Sequence, residues 1–297
     1  LAELGEKYDL IVLDADLSKS TKTDTFKKKF PERFINTGIA EANMMSIAAG
    51  IATTGKTVFA SSFAMFAAGR AYEQVRNSIA YPRLNVKIGA THAGISVGED
   101  GASHQPIEDI SLMRAIPNMV VISPADAYEA RGAVEAAILH DGPVYLRFGR
   151  LAVPYIYDSN YKFELGKGVT LKDGNDVSII ATGLMVKEAL DAATVLADEG
   201  ICARVINIHT IKPIDKDIII KAAKQTDAIV TAEEHNIIGG LGSAVAEVVS
   251  ENYPVKVIRV GINDIFGKSG KPNALLEKYG LTAQNIVNKV KLALNKA

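Results

Sequence analysis

Short β-branched hydrophobic runs alternate along the chain with longer alanine-rich stretches of helical character. The runs do not alternate with polar residues at every second position, which is typical of parallel strands that helices cover on both faces. In the first half, the pattern predicts strands at Asp9–Asp14, Thr57–Ala60, Asn85–Ala90, Met119–Ser123 and Val144–Phe148. Between them it predicts helices at Ala40–Thr53, Phe63–Tyr81, Pro106–Ala115 and Ala125–His140.

The alternation stops between Ala152 and Asp176, where Pro, Tyr, Asn and Gly replace the hydrophobic runs. It then restarts with predicted strands at Val177–Ala181, Ala203–Ile208, Ala228–Ala232 and Val255–Val260. The helices of this second series are predicted at Met185–Glu199, Asp215–Lys224, Gly242–Asn252 and from Thr282 onward. The pattern therefore predicts two consecutive three-layer α/β domains with mainly parallel sheets. We place them at residues 1–155 and 176–297, joined by a linker at residues 156–175.

Composition and charge exclude several classes of protein. The chain has 33 Lys and Arg residues against 34 Asp and Glu residues, a net charge of −1, so it lacks the basic excess of a nucleic-acid-binding protein. The most apolar stretch, residues 42–69, is split by Lys56 and falls short of the roughly 18 apolar residues that span a membrane. The single cysteine, Cys202, excludes an internal disulfide and favours a reducing compartment. We expect a cytoplasmic protein that binds neither nucleic acid nor membrane.

The segment from His92 to His104 is the richest in reactive side chains. It follows a predicted strand, and ligands bind at the carboxyl ends of the strands in open parallel sheets. It holds two of the five histidines, three glycines and the adjacent pair Glu99 and Asp100. The spacing is too wide for a helical metal motif, and no metal ligand is predicted. Imidazole and carboxylate groups can instead bind the hydroxyls of a sugar or a phosphate, although a mobile surface loop is the alternative interpretation.

Three further features have both a structural and a functional interpretation. Glu41 lies in the first turn of a predicted helix, where a carboxylate either complements the helix dipole or shares a proton with a ligand nitrogen in an apolar pocket. Phe59, Phe63 and Phe66 have the spacing of core residues. The turn Gly239–Gly242 follows a strand and opens a helix, but it lacks the GxGxxG spacing of a dinucleotide site and favours a tight turn.

Three motifs, taken together and in this order, resemble those of the transketolase family. Residues 98–106 (GEDGASHQP) are similar to the family's G-E-D-G-x-T-H-Q-P, with Ser103 in place of the usual Thr. Gly38–Asn43 (GIAEAN) resembles G-I-x-E-x-N, and Asp14–Ser20 (DADLSKS) resembles S-A-D-L-T-x-S. The resemblance covers essentially the whole chain, as a pyrimidine-binding domain followed by a transketolase C-terminal domain.

The resemblance implies thiamine diphosphate as the cofactor and transfer of a two-carbon ketol unit from a ketose phosphate to an aldose phosphate. Glu41 matches the catalytic glutamate that hydrogen-bonds N1′ of the aminopyrimidine ring. Phe66 matches the aromatic residue stacked on that ring, and Phe63 lines the same pocket. Asp16 matches an aspartate near the cofactor.

The resemblance also implies the residues that bind the substrate. Ser20, His92 and Arg150 match the set that binds the phosphate group. Asp100 matches the carboxylate that binds the C2 hydroxyl of the sugar. His104 matches the imidazole near the reacting carbons, and it is the second residue with an implied catalytic role.

Departures from the family pattern shape the expected assembly. Gly69 stands where the family usually has Tyr, and Tyr72 is a candidate to fill that space. A phosphate-binding arginine of the family, expected before residue 1, is missing from this chain. The sequence also has no Gly-Asp-Gly motif, which the family uses with a later Asn to hold Mg²⁺ and the diphosphate. We therefore expect the C-terminal subunit of a split transketolase, in an α2β2 heterotetramer with an N-terminal subunit that holds the Mg²⁺.

Four other functions remain open from the sequence. A 1-deoxyxylulose-5-phosphate synthase and the β subunit of a 2-oxoacid dehydrogenase E1 component share the glutamate motif, but an aliphatic oxoacid has no need of the His92–His104 loop. A non-catalytic binding protein would have no reason to keep Glu41, Asp100 and His104 together. A nucleotide-dependent oxidoreductase would have to use Gly239–Gly242.

Overall fold

The computed structural model describes residues 1–295, which form two α/β domains. The strands are β1 (Leu10–Asp14), β2 (Phe34–Asn36), β3 (Thr57–Phe63), β4 (Val86–Thr91), β5 (Val120–Ile122), β6 (Val144–Arg147), β7 (Val169–Lys172), β8 (Val177–Ala181), β9 (Ala203–Asn207), β10 (Thr210–Lys212), β11 (Ala228–Asn236) and β12 (Lys256–Ile262). The α-helices are α1 (Leu4–Lys7), α2 (Ser18–Thr21), α3 (Asp24–Lys29), α4 (Glu41–Ala52), α5 (Tyr72–Gln74), α6 (Asp109–Ala115), α7 (Ala127–Leu139), α8 (Met185–Asp198), α9 (Lys216–Gln225), α10 (Leu241–Asn252), α11 (Pro272–Lys278) and α12 (Ala283–Ala293). The predicted fold class is confirmed.

The first sheet has the strand order β10-β5-β6-β4-β3-β1-β2. All neighbouring strands are parallel except β10, which runs antiparallel to β5. The strands β1, β3, β4 and β6 are buried along nearly their whole length, because helices pack on both faces. Their shared direction brings the residues that follow them to a single edge of the sheet.

The second sheet has the order β12-β11-β8-β9-β7, and only β7 is antiparallel to its neighbour. Apolar side chains of α8 and α12 pack on one face of this sheet, and those of α9 and α10 pack on the other. The periodic apolar positions of these helices predict this arrangement, since residues three and four apart share one helix face.

The hydrophobic pattern does not predict two short strands, β7 and β10, which change the division between the domains. Strand β7 lies inside the predicted linker, residues 156–175. Strand β10 lies in the second half of the chain but pairs with β5 of the first sheet. The linker is also held on the first domain, because the Asp126 carboxylate accepts hydrogen bonds from the main-chain N–H groups of Ile156 and Tyr157 at 2.7 and 2.8 Å.

The segment predicted as one helix, Phe63–Tyr81, is divided in the structure. Strand β3 extends through Phe63, and the π-helical segments Met65–Arg70 and Val75–Ala80 flank the short helix α5. A π-helical turn holds one residue more than an α-helical turn, so it changes which side chains share a face, and such turns are frequent at functional sites. Here the change places Arg70 toward the start of α4.

A buried cluster of charged groups joins the two domains. The Arg147 Nε and Nη2 atoms donate to the Asp109 carboxylate at 2.8 and 3.1 Å, and Nη2 also donates to the main-chain oxygen of Glu234 in β11 at 2.9 Å. The Tyr145 hydroxyl donates to the same carboxylate at 2.8 Å. Burial alone would raise the pKa of Asp109, but the charge and hydrogen bonds of Arg147 hold that pKa below its usual range.

None of the helices within residues 1–295 combines the length and the apolar character needed to cross a bilayer. The longest of them, α8, has 14 residues.

We expect a pH-dependent stability effect from Lys87, which is buried in β4 and donates to the main-chain oxygens of His140 and Gly142. Burial lowers its pKa to about 7, so between pH 7 and 10 the unfolded chain binds the proton more tightly than the folded chain does. The free energy of unfolding of the wild type, relative to Lys87→Met, should therefore rise with pH over this range, by at most about 1.4 kcal/mol per pH unit.

Denaturant unfolding at pH 7, 8 and 9 measures this difference. The exposed Lys56 is the matched control, and the Lys56→Met difference should not change with pH in this way. A Lys87→Met difference that stays constant over the three pH values would contradict the expectation.

Candidate active site

The side chains predicted to act lie at the carboxyl ends of β1, β3, β4 and β6, which are neighbours in the first sheet. Ser20 follows β1, Phe63 is the last residue of β3, His92 follows β4 and Arg150 follows β6. The turn after β2 leads to Glu41, the first residue of α4. Residues that are far apart in the chain therefore meet at one edge because the strands are parallel.

The buried carboxylate of Asp14 shapes the segment after β1. It accepts hydrogen bonds from the Leu17 N–H at 2.6 Å and from the hydroxyls of Thr21 and Thr23 at 2.7 and 2.9 Å. Burial raises the pKa of Asp14, and these hydrogen bonds oppose the rise. They curl the chain through α2 and so turn Ser20 toward the edge of the sheet.

Asp16 lies on the same turn but is exposed. Its backbone has a φ of 65°, and its carboxylate accepts a hydrogen bond from the Asn36 side chain at 2.9 Å. A left-handed conformation is uncommon for a residue other than glycine. Here the reciprocal contact with Asn36, whose oxygen accepts from the Asp16 N–H at 3.1 Å, stabilises it.

Glu41 is almost completely buried, with 2% of its surface exposed. Its Oε2 atom lies 3.3 Å from Nη1 of Arg70. The guanidinium carbon of Arg70 lies 4.6 Å from the centre of the Phe66 ring, a distance typical of a cation–π contact. Arg70 therefore links the buried carboxylate to the aromatic part of the site.

Four rings continue the site from Phe66 toward β4. The edge of His104 meets Phe66 at 5.1 Å between ring centres, and Phe66 lies 6.4 Å from Phe63. His92 stacks on Phe63 at 3.9 Å with an angle of 24° between the rings. The structure thus brings both predicted phenylalanines and both predicted histidines into one continuous series.

A cavity of about 370 Å³ lies beyond His92. Its lining includes Ser20, His92 and Arg150, together with Lys22 and the apolar side chains of Phe59 and Leu146. The three residues that the family resemblance assigns to phosphate binding therefore share one cavity. Lys22 adds a second cation to it, and within residues 1–295 no acidic group pairs with Lys22.

Arg150 connects this cavity to the loop after β4, which we name the histidine loop (residues 92–106). Its Nη1 atom donates to the main-chain oxygen of Val97 and to the Glu99 carboxylate, the latter at 3.0 Å. Asp100 lies next to Glu99 and is exposed. The loop places Asp100 outside the cavity lining.

His92 has an uncommon backbone conformation, with a φ of 57°, and its Nδ1 atom lies 3.1 Å from the Thr91 hydroxyl. Burial lowers the pKa of His92, and the charge of Arg150 lowers it further. The imidazole is therefore mainly neutral at pH 7. Residues other than glycine that have a left-handed backbone conformation cluster at functional sites. Asp16, Lys22 and His92 are three such residues at this edge of the sheet.

Sequence reasoning missed Arg70 and Lys22 as parts of the site, and it did not predict the contact of Glu99 with Arg150. The signal for Arg70 is its spacing of four from Phe66 in a helical segment, which places a cation over an aromatic ring. Tyr72, the candidate to fill the space left by Gly69, packs instead against the core of the first domain. Arg70, not Tyr72, covers the Phe66 ring.

Three main-chain donors of the turn Gly239–Gly242, the N–H groups of Gly239, Leu241 and Gly242, are occupied within the chain. The Glu233 carboxylate accepts hydrogen bonds from the N–H groups of Leu241 and Gly242 at 2.6 and 2.8 Å. These are the groups at the start of α10 that would otherwise bind a phosphate. The arrangement therefore favours the tight-turn interpretation and does not support a dinucleotide site at this position.

No group of three or more His, Cys, Asp or Glu side chains among residues 1–295 is placed to hold a metal ion. The candidate site is an edge of a parallel sheet with a buried carboxylate at one end, aromatic rings in the middle and a cation-lined cavity at the other end. These features define a two-domain α/β protein whose site has a buried carboxylate beside flat aromatic rings and hydrogen-bond donors for an anionic group.

Comparison with known families identifies the relationship. Residues 1–155 match the pyrimidine binding domain of transketolase, and residues 166–286 match the transketolase C-terminal domain. The chain belongs to the transketolase family, and the resemblance seen in the motifs is confirmed. Thiamine diphosphate is the cofactor that this family implies.

Three relatives show how much of a transketolase the chain represents. A split gene transketolase, solved as an inactive beta4 tetramer, is 57% identical, with a TM-score of 0.93 over 99% of this chain and 95% of that one. The 6-deoxy-6-sulfo-D-fructose transketolase subunit SqwH of Clostridium sp. (strain MSTE9) is 47% identical over 97% of this chain and 89% of its own length. The transketolase of Leishmania mexicana is 27% identical, with a TM-score of 0.83, and this chain covers 44% of it.

We expect the pKa of His92 to lie below 6.5 and to rise in Arg150→Met, because that change removes a positive charge which disfavours the imidazolium. An NMR titration of the histidine ring protons measures both values. Arg131, an exposed arginine paired with Glu3, provides the control, since Arg131→Met should leave His92 unchanged. A pKa that stays the same or falls in Arg150→Met would refute this electrostatic account.

Proposed function

We propose that this chain is the C-terminal subunit of a two-polypeptide transketolase that depends on thiamine diphosphate. The observation that carries the proposal is the buried Glu41 carboxylate beside the aromatic rings of Phe63 and Phe66, at one end of a site whose other end is lined by cations. A subunit of this kind transfers a two-carbon ketol unit from a ketose phosphate to an aldose phosphate.

The residues around Glu41 fit an aminopyrimidine ring. A carboxylate that is buried among apolar groups can hold a proton at a ring nitrogen, and a phenylalanine ring offers a flat apolar surface for stacking. Thiamine diphosphate supplies, when bound, a nucleophilic carbon and an electron sink, which protein side chains lack. In this proposal Glu41 holds the proton at N1′, Phe66 and Phe63 contact the ring, and Asp16 lies near it.

Arg70 has a positioning role in the same arrangement. Its contact with Oε2 of Glu41 at 3.3 Å leaves the other carboxylate oxygen for the cofactor nitrogen. Its guanidinium group also lies over Phe66, so one side chain orients both the acid and the stacking ring. The more than half-exposed position of Arg70 allows it to move when a ring enters.

The cation-lined cavity fits the anionic end of a sugar phosphate. Ser20 offers a hydroxyl, Arg150 can donate two parallel hydrogen bonds to phosphate oxygens, and His92 lies between them and the aromatic rings. Asp100 is proposed to bind the C2 hydroxyl of the sugar. His104, on the Phe66 side, is proposed to exchange protons near the reacting carbons.

Several observations support an N-terminal partner subunit that holds Mg²⁺ and the diphosphate group. The sequence lacks a Gly-Asp-Gly motif, and the chain covers 44% of a single-chain transketolase. The related split gene transketolase was solved as an inactive beta4 tetramer. Ile39, two residues before Glu41, has 78% of its surface exposed, which fits a contact with a second chain at this position. We propose an α2β2 heterotetramer in the cytoplasm.

Reconstitution tests the proposed function. The chain alone should show no ketol transfer. Mixed with a chain that carries the Gly-Asp-Gly motif, thiamine diphosphate and Mg²⁺, it should convert xylulose 5-phosphate and ribose 5-phosphate, and native mass spectrometry should show two copies of each chain. Turnover by the chain alone, or no turnover of any ketose phosphate by the mixture, would disprove the proposal.

The role of Glu41 predicts a specific defect in Glu41→Ala. Exchange of the C2 proton of thiamine diphosphate, followed by NMR in the mixed complex, should slow by about 10²–10⁴-fold, because the proton at the ring nitrogen is lost. The exposed Glu73 is the matched control, and Glu73→Ala should exchange at the wild-type rate. Wild-type exchange in Glu41→Ala would remove Glu41 from the mechanism.

A further inference from the structure

The histidine loop and the residue after it are hydrogen-bonded to the second domain. The Asn236 N–H in β11 donates to the main-chain oxygen of Ile107, directly after the loop, at 2.7 Å. The Nε2 atom of Gln105, which has two hydrogens to donate, lies within 3.2 Å of the main-chain oxygens of Ile95 and Gly98 in the loop and 3.0 Å from that of Lys268 in the second domain. The loop that carries His92, Asp100 and His104 therefore lies between the two domains.

Glu234 makes the most direct of these contacts. It lies near the end of β11 with 3% of its surface exposed, and its Oε1 atom accepts a hydrogen bond from the Ser96 N–H at 2.6 Å. Its own main-chain oxygen accepts from Arg147, which also holds Asp109 at the start of α6. The carboxylate of Glu234 thus fixes the first half of the loop, and the ion pair beside it fixes the helix that follows the loop.

Three glycines of the histidine loop lie where the loop approaches the second domain most closely. A Cβ atom on Gly94 would lie 2.3 Å from the Glu234 carboxyl carbon. A Cβ atom on Gly98 would lie 3.0 Å from Pro272, and one on Gly101 would lie 2.5 Å from the Ser269 hydroxyl. All three have positive φ angles between 74° and 86°. The loop therefore follows the surface of the second domain too closely for side chains at these positions.

From these contacts we propose that Glu234 is a positioning residue, which holds the histidine loop in the conformation that binds the sugar phosphate. The proposal rests on the proposed function, since that function makes His92, Asp100 and His104 substrate-binding residues. It assigns the second domain a direct part in substrate binding, in addition to contacts between subunits. Glu234 touches no substrate in this proposal and acts only through the Ser96 N–H and Gly94.

The buried position of Glu234 also suggests a suitable conservative variant. Burial raises its pKa to about 7, and Arg147 opposes that rise, so near neutral pH the group is about half protonated. Glutamine has the same shape and keeps an oxygen that can accept the Ser96 hydrogen bond, whereas alanine removes it. Glu234→Gln should therefore retain the loop conformation that Glu234→Ala loses.

Hydrogen exchange measured by mass spectrometry on the chain itself tests the loop contact without any need for turnover. In Glu234→Ala, the peptide covering residues 94–104 should exchange about tenfold faster or more, because the hydrogen bond from the Ser96 N–H is lost. In Glu234→Gln the exchange rate of this peptide should stay within about threefold of the wild type.

Glu247 is the matched control. Its carboxylate also joins the domains, through Arg114 at 2.7 Å, but it does not touch the loop. Glu247→Ala should leave the loop peptide unchanged.

Kinetics in the complex with the partner chain test the consequence for substrate. Glu234→Ala should raise KM for xylulose 5-phosphate by about tenfold, with a smaller effect on kcat and on the Kd of thiamine diphosphate, since a displaced loop weakens substrate contacts first. Glu234→Gln should restore KM. If Glu234→Ala does not fold, Gly94→Ala is the second variant, because its added methyl group would displace the loop from Glu234.

The outcomes separate this proposal from the proposed function. Wild-type exchange of the loop in Glu234→Ala, or equal defects in the Ala and Gln variants, would overturn the positioning role. Faster exchange in Glu234→Ala with unchanged KM would overturn it as well. No ketol transfer by the wild-type complex would instead refute the proposed function, and the exchange experiment would still decide whether Glu234 holds the loop.

Discussion

A buried ion pair between Arg147 and Asp109 connects the elements on which the candidate site depends. Arg147 ends β6 just before Arg150, Asp109 begins α6 just after the histidine loop, and the same guanidinium group reaches β11 through the main-chain oxygen of Glu234. Removing one partner of such a pair costs about 3–5 kcal/mol, because the remaining charge stays buried. The pair therefore holds the end of β6, the start of α6 and the end of β11 in one arrangement.

The site built on this framework separates its charges along the edge of the first sheet. Glu41 and Arg70 lie at one end, the rings of Phe66 and Phe63 lie in the middle, and Arg150 lies in the cavity at the other end. An acid beside flat apolar rings suits a heterocycle that accepts a proton, and a cation in a cavity suits an anionic group. The apolar rings keep these two functions apart, so that Glu41 and Arg150 do not neutralise each other.

The strands and helices of the core could be read from the sequence because each depends on neighbours within a few residues. Strand β8 and helix α4 lie where the hydrophobic pattern predicts them, within a residue at each end. The pattern ends the strand from Ala228 at Ala232, since charged residues follow, yet β11 continues to Asn236 with Glu233 and Glu234 buried. The division of the predicted helix from Phe63 to Tyr81 into π-helical segments was equally invisible, because no local signal marks the extra residue.

The sequence by itself determined the fold class, the family and the residue types available for chemistry, because periodicity and short motifs are local properties of a chain. Only the tertiary structure decided which of those residues meet: Arg70 with Glu41, His92 with Phe63, and Glu234 with Ser96. The physical reason is that each of these contacts joins segments at least 29 residues apart, so it forms only when those segments pack together. The packing of the sheets and helices determines which segments meet, and a local sequence pattern does not contain that information.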